Sequence, residues 1–168
     1  NIEQLYGVAW YFHKLNGKYA VRDRQNEIAL IQNEASSVDE TVALERIAET
    51  VEDVFGTNTY AVGFADGDLK RVPDGRDLKV VVNADGWTVD EVQTVIKNAD
   101  GSPGREWRNT LIFVQPSGET SINSGTGYVE KARYIEGAAE VLRDESLDEG
   151  IENAVEREKE NEKRELRD

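Results

Sequence analysis

The sequence predicts an α/β fold: a single small mixed, largely parallel sheet with flanking helices and a charged C-terminal helix. Three observations predict it. The run Leu78–Ala84 is continuously apolar apart from Lys79 and Asn83, the pattern of an interior strand covered on both faces, and Asn109–Pro116 is a further apolar strand. Around them, apolar residues recur at helical spacing over 38–55 and 88–98. Strands that alternate with helices pair mainly in parallel, because the helix returns the chain across the sheet.

The chain begins with the aromatic, β-forming run Val8-Ala9-Trp10-Tyr11-Phe12, which predicts a strand. Asn16-Gly17 follows, a type I′ hairpin signal that makes Lys18–Val21 a second strand. A helix from about Lys18 to about Ala35, with Val21, Ile28, Ile31 and Ala35 on one face, is the alternative and the favoured one, because the wholly polar span from Arg22 to Glu27 weakens a hairpin that continues. Ser36-Ser37 is expected to cap the next helix, which carries Leu44, Ile47, Ala48, Val51, Val54 and Phe55 on one face and stops at Gly56. Thr59–Ala65 predicts a strand, Asp66-Gly67-Asp68 a turn and Pro73-Asp74-Gly75 another. The link from 66 to 77 lacks a helix, so the strands at 59–65 and 78–84 are expected to pair antiparallel.

Thr88 and Glu91 form a capping box that opens a helix to about Asn98. Beyond the strand at 109–116, residues 117–127 make a polar Gly/Ser-rich loop. Tyr128, Ala132, Ile135, Ala139 and Leu142 form one helical stripe, and a break is expected over 144–148. The tail from Glu149 becomes charged on every face beyond Val155 and lacks an apolar heptad seam. The expected organisation is an α/β domain over 1–143 with a charged helical extension or linker over 144–168.

Composition excludes several functions. Among 168 residues, 34 are acidic and 20 basic, giving a net charge of −14. Such a surface repels phosphate backbones and anionic lipid, so neither nucleic acid nor membrane is an expected partner. The basic set favours Arg over Lys; an acidic, lysine-poor surface suits high salt, where self-repulsion is screened. The chain has no Cys, which removes disulfides and thiolate metal sites. Apolar runs are too short to span a membrane, and a cytoplasmic location is expected. With no Met anywhere, the sequence reads as a fragment of a longer protein.

Motifs for chemistry are sparse. The glycine cluster at 118–127 contains no Lys, so it is not a phosphate-binding P-loop. Gly125, Thr126 and Gly127, at a helix start, are a candidate anion-binding loop through free backbone N–H groups. His13 is the sole histidine, which excludes a serine triad built on any other base and reads as a surface turn residue. The many carboxylates read as turns and solvated surface, and no metal site is expected. Arg105, Arg108 and Asn109, before the strand at 109–116, are candidates for a phosphate or inter-domain contact. The plainer reading pairs an arginine with Glu106 and lets Trp107 cover the sheet edge.

Two stretches carry a family resemblance. Trp10-Tyr11-Phe12 precedes a polar helix, and Arg108-Asn109-Thr110-Leu111-Ile112-Phe113-Val114-Gln115-Pro116 precedes an Ala-rich one over 132–142. The second is similar to the Arg-Asn-Thr-Leu-Val-Phe-Leu-Ala-Pro strand of large predicted P-loop, AAA+-like ATPases known as domain-of-unknown-function family number 499. The likeness runs over roughly residues 8 to 143. In that family the strand commonly ends Pro-Asp, whereas Ser117 follows Pro116 here. The resemblance implies an accessory C-terminal region whose ATP and magnesium site lies upstream in the parent, with that upstream ATPase domain as its partner. It also implies a setting of defence against foreign DNA. The fragment itself is expected to need no cofactor. Two alternatives remain open: a self-contained hydrolase or phosphotransferase using the loop 118–127, or a pure protein-interaction module.

Overall fold

The computed structural model describes residues 12–15, 18–21, 26–64, 69, 72–99, 102–117, 121–123 and 127–167. Two compact units are formed, one from 1–43 with 130–166 and Asp168, the other from 44–129 with Arg167. The position 143/144 falls inside the first unit.

In the first unit, β1 (Phe12–Leu15) and β2 (Lys18–Val21) pair antiparallel, with Leu15 opposite Lys18. Asn16 and Gly17, the expected turn, lie outside the described residues. Helix α1 (Glu27–Ser37) then starts at Asn26, whose side chain accepts the Ile28 N–H. The favoured helix from Lys18 is corrected: Lys18–Val21 satisfies its backbone by pairing with β1, and the helix begins only at Glu27.

The predicted cap at Ser36-Ser37 is corrected. Both serines finish α1, donating their hydroxyls to the Asn33 and Glu34 carbonyls. The following helix, α2 (Glu40–Phe55), starts at Asp39, whose carboxylate accepts the Thr41 N–H at 2.8 Å. A carboxylate facing the exposed N–H groups and positive end of the helix outcompetes hydroxyls that can bond backward along α1.

Helices α4 (Tyr128–Val141) and α5 (Glu149–Arg167) supply, over 130–166, the rest of the first unit. Between them Asp144 and Asp148 form turns at the predicted break, and Asp148 accepts the Gly150 N–H. Ile31 of α1, Ala138 and Val141 of α4, and Ile151 and Val155 of α5 make one core. The tail is therefore packed, down to Leu166, which is 9% exposed. Lys131 of α4 reaches Glu162 at 3.4 Å and Glu165 at 2.6 Å. The rising numbers on α5 thus meet falling numbers on α4, an antiparallel pair. Its seam turns from apolar to ionic along its length, so the sequence there reads as charged all round.

The second unit holds a three-stranded sheet in the order β3 (Thr59–Val62), β4 (Lys79–Asn83), β7 (Leu111–Val114). All its pairs are parallel. This corrects the antiparallel expectation for β3 and β4. The link from 63 to 78 exceeds the roughly dozen residues a parallel crossover needs, helix or not. Its Val72 is fully buried against Val62, Val81 and Val95, which holds the crossover on the sheet face. Asp66-Gly67-Asp68 lies outside the described residues.

β4 is central, as its continuous apolar run requires. Lys79 interrupts that run yet is 3% exposed. Its ammonium bends to the carbonyls of Gly75 and Asp77, at 3.0 and 2.7 Å, so the buried stem carries a satisfied head. The capping box at Thr88 and Glu91 is formed in both directions, at 3.3 and 2.9 Å, and opens α3 (Val89–Lys97). A two-residue ladder, β5 (Asn98–Ala99) with β6 (Ser102–Pro103), follows it. A 3-10 turn (Arg108–Thr110) occupies what was expected as the start of the last strand. Among the described residues no helix is long and apolar enough to cross a membrane.

Candidate functional site

In parallel α/β sheets ligands bind outside the carboxyl ends of the strands, where loops converge. Here Ile122 donates its N–H to the Ala84 carbonyl at 3.0 Å. Asn123 donates its side-chain amide to the Gly63 carbonyl at 2.7 Å, and Ser121 bonds the Asp85 carboxylate. Residues 121–123 thus lie across the carboxyl ends of β3 and β4. Gly63 holds φ +72°, and a β-carbon there would stand 2.6 Å from the Asn83 amide oxygen, so this crossing accepts only glycine. Buried Asn83 in turn accepts the Asp85 N–H. Local sequence carries no signal for this long-range brace. Of the candidate anion loop, Gly125 and Thr126 lie outside the described residues. Gly127 is exposed at φ +74° with open space around its α-carbon.

The other candidates sit at the opposite end of the sheet, before β7. Arg105 is 2% exposed. Its guanidinium points inward and donates to the carbonyls of Val95 at 2.9 Å, Pro73 at 2.7 Å and Val72 at 2.7 Å. The expected ion pair with Glu106 is corrected: the carboxylate facing Arg105 is Asp74, at 3.9 Å. Glu106 supplies its backbone N–H to Asp74 instead, at 2.6 Å, and Trp107 does the same at 3.0 Å. Adjacent residues share a pair poorly when one side chain is turned into the core. Partial burial opposes ionisation of Asp74, but the N–H groups of Glu106, Trp107 and Gly75, with the Arg105 charge, outweigh it and hold its carboxyl below the usual range. Arg76 stacks over the Trp107 ring at 4.8 Å.

Arg108 and Asn109 remain at the surface. They line an open depression of about 460 Å³ formed by Arg105–Thr110. The amino ends of the neighbouring strands bring apolar side chains to this end of the sheet. Val54 and Phe55 finish α2, are 54% and 49% exposed, and lead through Gly56 and Asn58, both at positive φ, into β3. Leu78, 59% exposed, directly precedes β4, and the Val80 N–H bonds the Asn58 carbonyl at 3.0 Å. The helical spacing of Val54 and Phe55 predicted a core face; their position in the last turn, beyond the sheet, leaves them in solvent.

Every described carboxyl with a moved pKa is moved down. Besides Asp74 these are Asp39 and Asp144, bonded by Thr41 and Ser146, Glu91 in the capping box, and Glu165 on Lys131. Each is tuned to remain charged, whereas a general acid at neutral pH needs its pKa raised. Among the described residues no group of three or more His, Asp or Glu is placed to hold a metal ion. The chain matches no family model, and no curated protein or solved structure is detectably similar to it.

Proposed function

We propose that the chain is an accessory contact domain of a multidomain, cytoplasmic P-loop ATPase, one that serves defence against foreign DNA. It docks onto the upstream ATPase domain of the same polypeptide. ATP and magnesium belong to that upstream domain. The observation that supports this reading is the amino end of the sheet, where Val54 and Phe55 lead into β3 and Leu78 into β4, each about half exposed or more, and the exposed Arg108 and Asn109 precede β7. Large apolar side chains gathered at one end and flanked by polar groups mark a protein contact surface. The brace of 121–123 over the carboxyl ends favours the same reading over a hydrolase built on that loop.

Two measurements test it. Titration calorimetry of this chain with magnesium-ATP is expected to give no binding heat, and clear micromolar binding would overturn the proposal. Co-purification with a separately expressed upstream ATPase domain is expected for the native chain and lost for Leu78→Asp with Phe55→Asp. Equal co-purification of the double variant would show that this surface is not the contact.

A further inference from the structure

The two edges of the three-stranded sheet are treated differently. Val80 and Ala84 send their N–H groups to the Asn58 and Val62 carbonyls. Even-numbered residues of β4 therefore turn their backbone groups toward β3, and odd-numbered ones turn toward β7. Val81 is aligned with Phe113, and a residue in a parallel ladder bonds the two residues flanking its partner. Those are Ile112 and Val114. The N–H and C=O groups of Leu111 and Phe113 thus point out of the sheet, with no partner among the described residues. On the opposite edge, the corresponding outward N–H belongs to Ala61, and the Glu52 carboxylate of α2 accepts it at 3.0 Å. Among the described residues, a charge takes one outward N–H of the β3 edge, and nothing takes those of the β7 edge.

The β7 edge reads Leu-Ile-Phe-Val, with no charged residue or proline within it, and Ile112 is 42% exposed. Exposed apolar edges of this kind pair with another strand unless blunted. We propose that β7 pairs antiparallel with β7 of a second copy, about a two-fold axis through Ile112. Leu111 then faces Phe113 of the other copy twice over, each a narrow pair exchanging both bonds, about four hydrogen bonds in all. Ile112 meets its own symmetry mate on the exposed face. The result is a continuous six-stranded sheet whose two outer edges are both β3, where Glu52 holds the Ala61 N–H. Both β7 edges are used up in the pair, so the pairing stops at two copies. A second copy is the occupant that supplies the same apolar edge, in matching length and register.

Each copy carries a net charge of −14. Repulsion opposes pairing in dilute salt and is screened as the Debye length falls from about 10 Å at 0.1 M to about 3 Å at 1 M. Sedimentation velocity is expected to show association at least about tenfold tighter in 1 M than in 0.1 M KCl. Ile112→Lys, which leaves the core untouched, is expected to be monomeric in both. Because the chain has no cysteine, Ile112→Cys places one thiol at a wide antiparallel pair, where α-carbons about 4.5 Å apart suit a disulfide. It is expected to form covalent dimers under mild oxidation far faster than Val89→Cys, a thiol at a position 73% exposed on α3. A native chain that stays monomeric at both salts would leave the edge to a different partner and overturn the proposal. So would dimerisation of Ile112→Lys to the native extent, or equal cross-linking of the two cysteine variants.

Discussion

Gly137 of α4 lies against Ala35 of α1 so closely that a β-carbon added at Gly137 would stand 2.5 Å from the Ala35 backbone nitrogen and 2.8 Å from its α-carbon. The neighbour is backbone, which cannot swing aside. Gly137→Ala gains about 1 kcal/mol in helix propensity. Forcing the two helices apart in a packed core costs about 1–3 kcal/mol or more. The substitution is expected to lower stability in urea unfolding despite the better helix former, and a stabilised variant would show that the helices separate freely.

Arg105 ties three chain segments together. Its partners Val72 and Pro73 belong to the crossover into β4, and Val95 to α3. Hydrogen bonds to a charged group contribute about 1.5–3 kcal/mol each, and the carbonyls left behind would be buried without donors. Arg105→Met is expected to destabilise by about 3–5 kcal/mol, with Arg105→Lys intermediate because an ammonium cannot span the three carbonyls. Chemical denaturation of both variants measures this. A loss below about 1 kcal/mol for Arg105→Met would mean that the site relaxes around the missing fork.

Acid should act through Asp74. Its folded pKa lies below the ordinary value, so its contribution is complete above the ordinary aspartate pKa. That contribution is lost as pH falls through the lowered folded one. Asp74→Asn removes the charge that accepts the Glu106 and Trp107 N–H groups. The variant is expected to be less stable than the native chain at pH 7 and to converge on it in strong acid. A difference that stayed constant with pH would assign the effect to shape instead of charge.

The excess of carboxylates predicts a response to salt. At −14 the folded chain repels itself. Raising KCl from about 0.1 to about 1 M should raise the melting temperature, by roughly 2–4 °C for each kcal/mol of repulsion relieved. Monomeric Ile112→Lys separates this effect from association. An unchanged melting temperature would remove the physical basis for reading the composition as an adaptation to high salt.

Elements whose signals are local were legible in the sequence. The Thr88–Glu91 capping box, the Val-rich central strand and the break over 144–148 each depend on residues a few positions apart. Sequence reasoning failed where distant groups compete. Asp39 took the cap from Ser36-Ser37 because hydroxyls have a second option on α1. Arg105 ignored Glu106 because its partners come from the crossover and α3. The tail beyond Val155 read as charged on every face, yet its Leu166 is buried on a helix that Lys131 also holds by ion pairs.

By itself, then, the sequence determined the α/β class, the central place of β4, the helix limits set by local caps, and the acidic surface. All of these follow from periodicity, propensity or charge, which are properties of neighbouring residues. Only the tertiary structure decided that β3 and β4 run parallel, that Arg105 faces inward while Arg108 faces out, and that Glu52 takes the outward Ala61 N–H of β3. Each of those outcomes depends on which groups from distant segments reach a backbone donor or acceptor first, and sequence spacing carries no record of that competition.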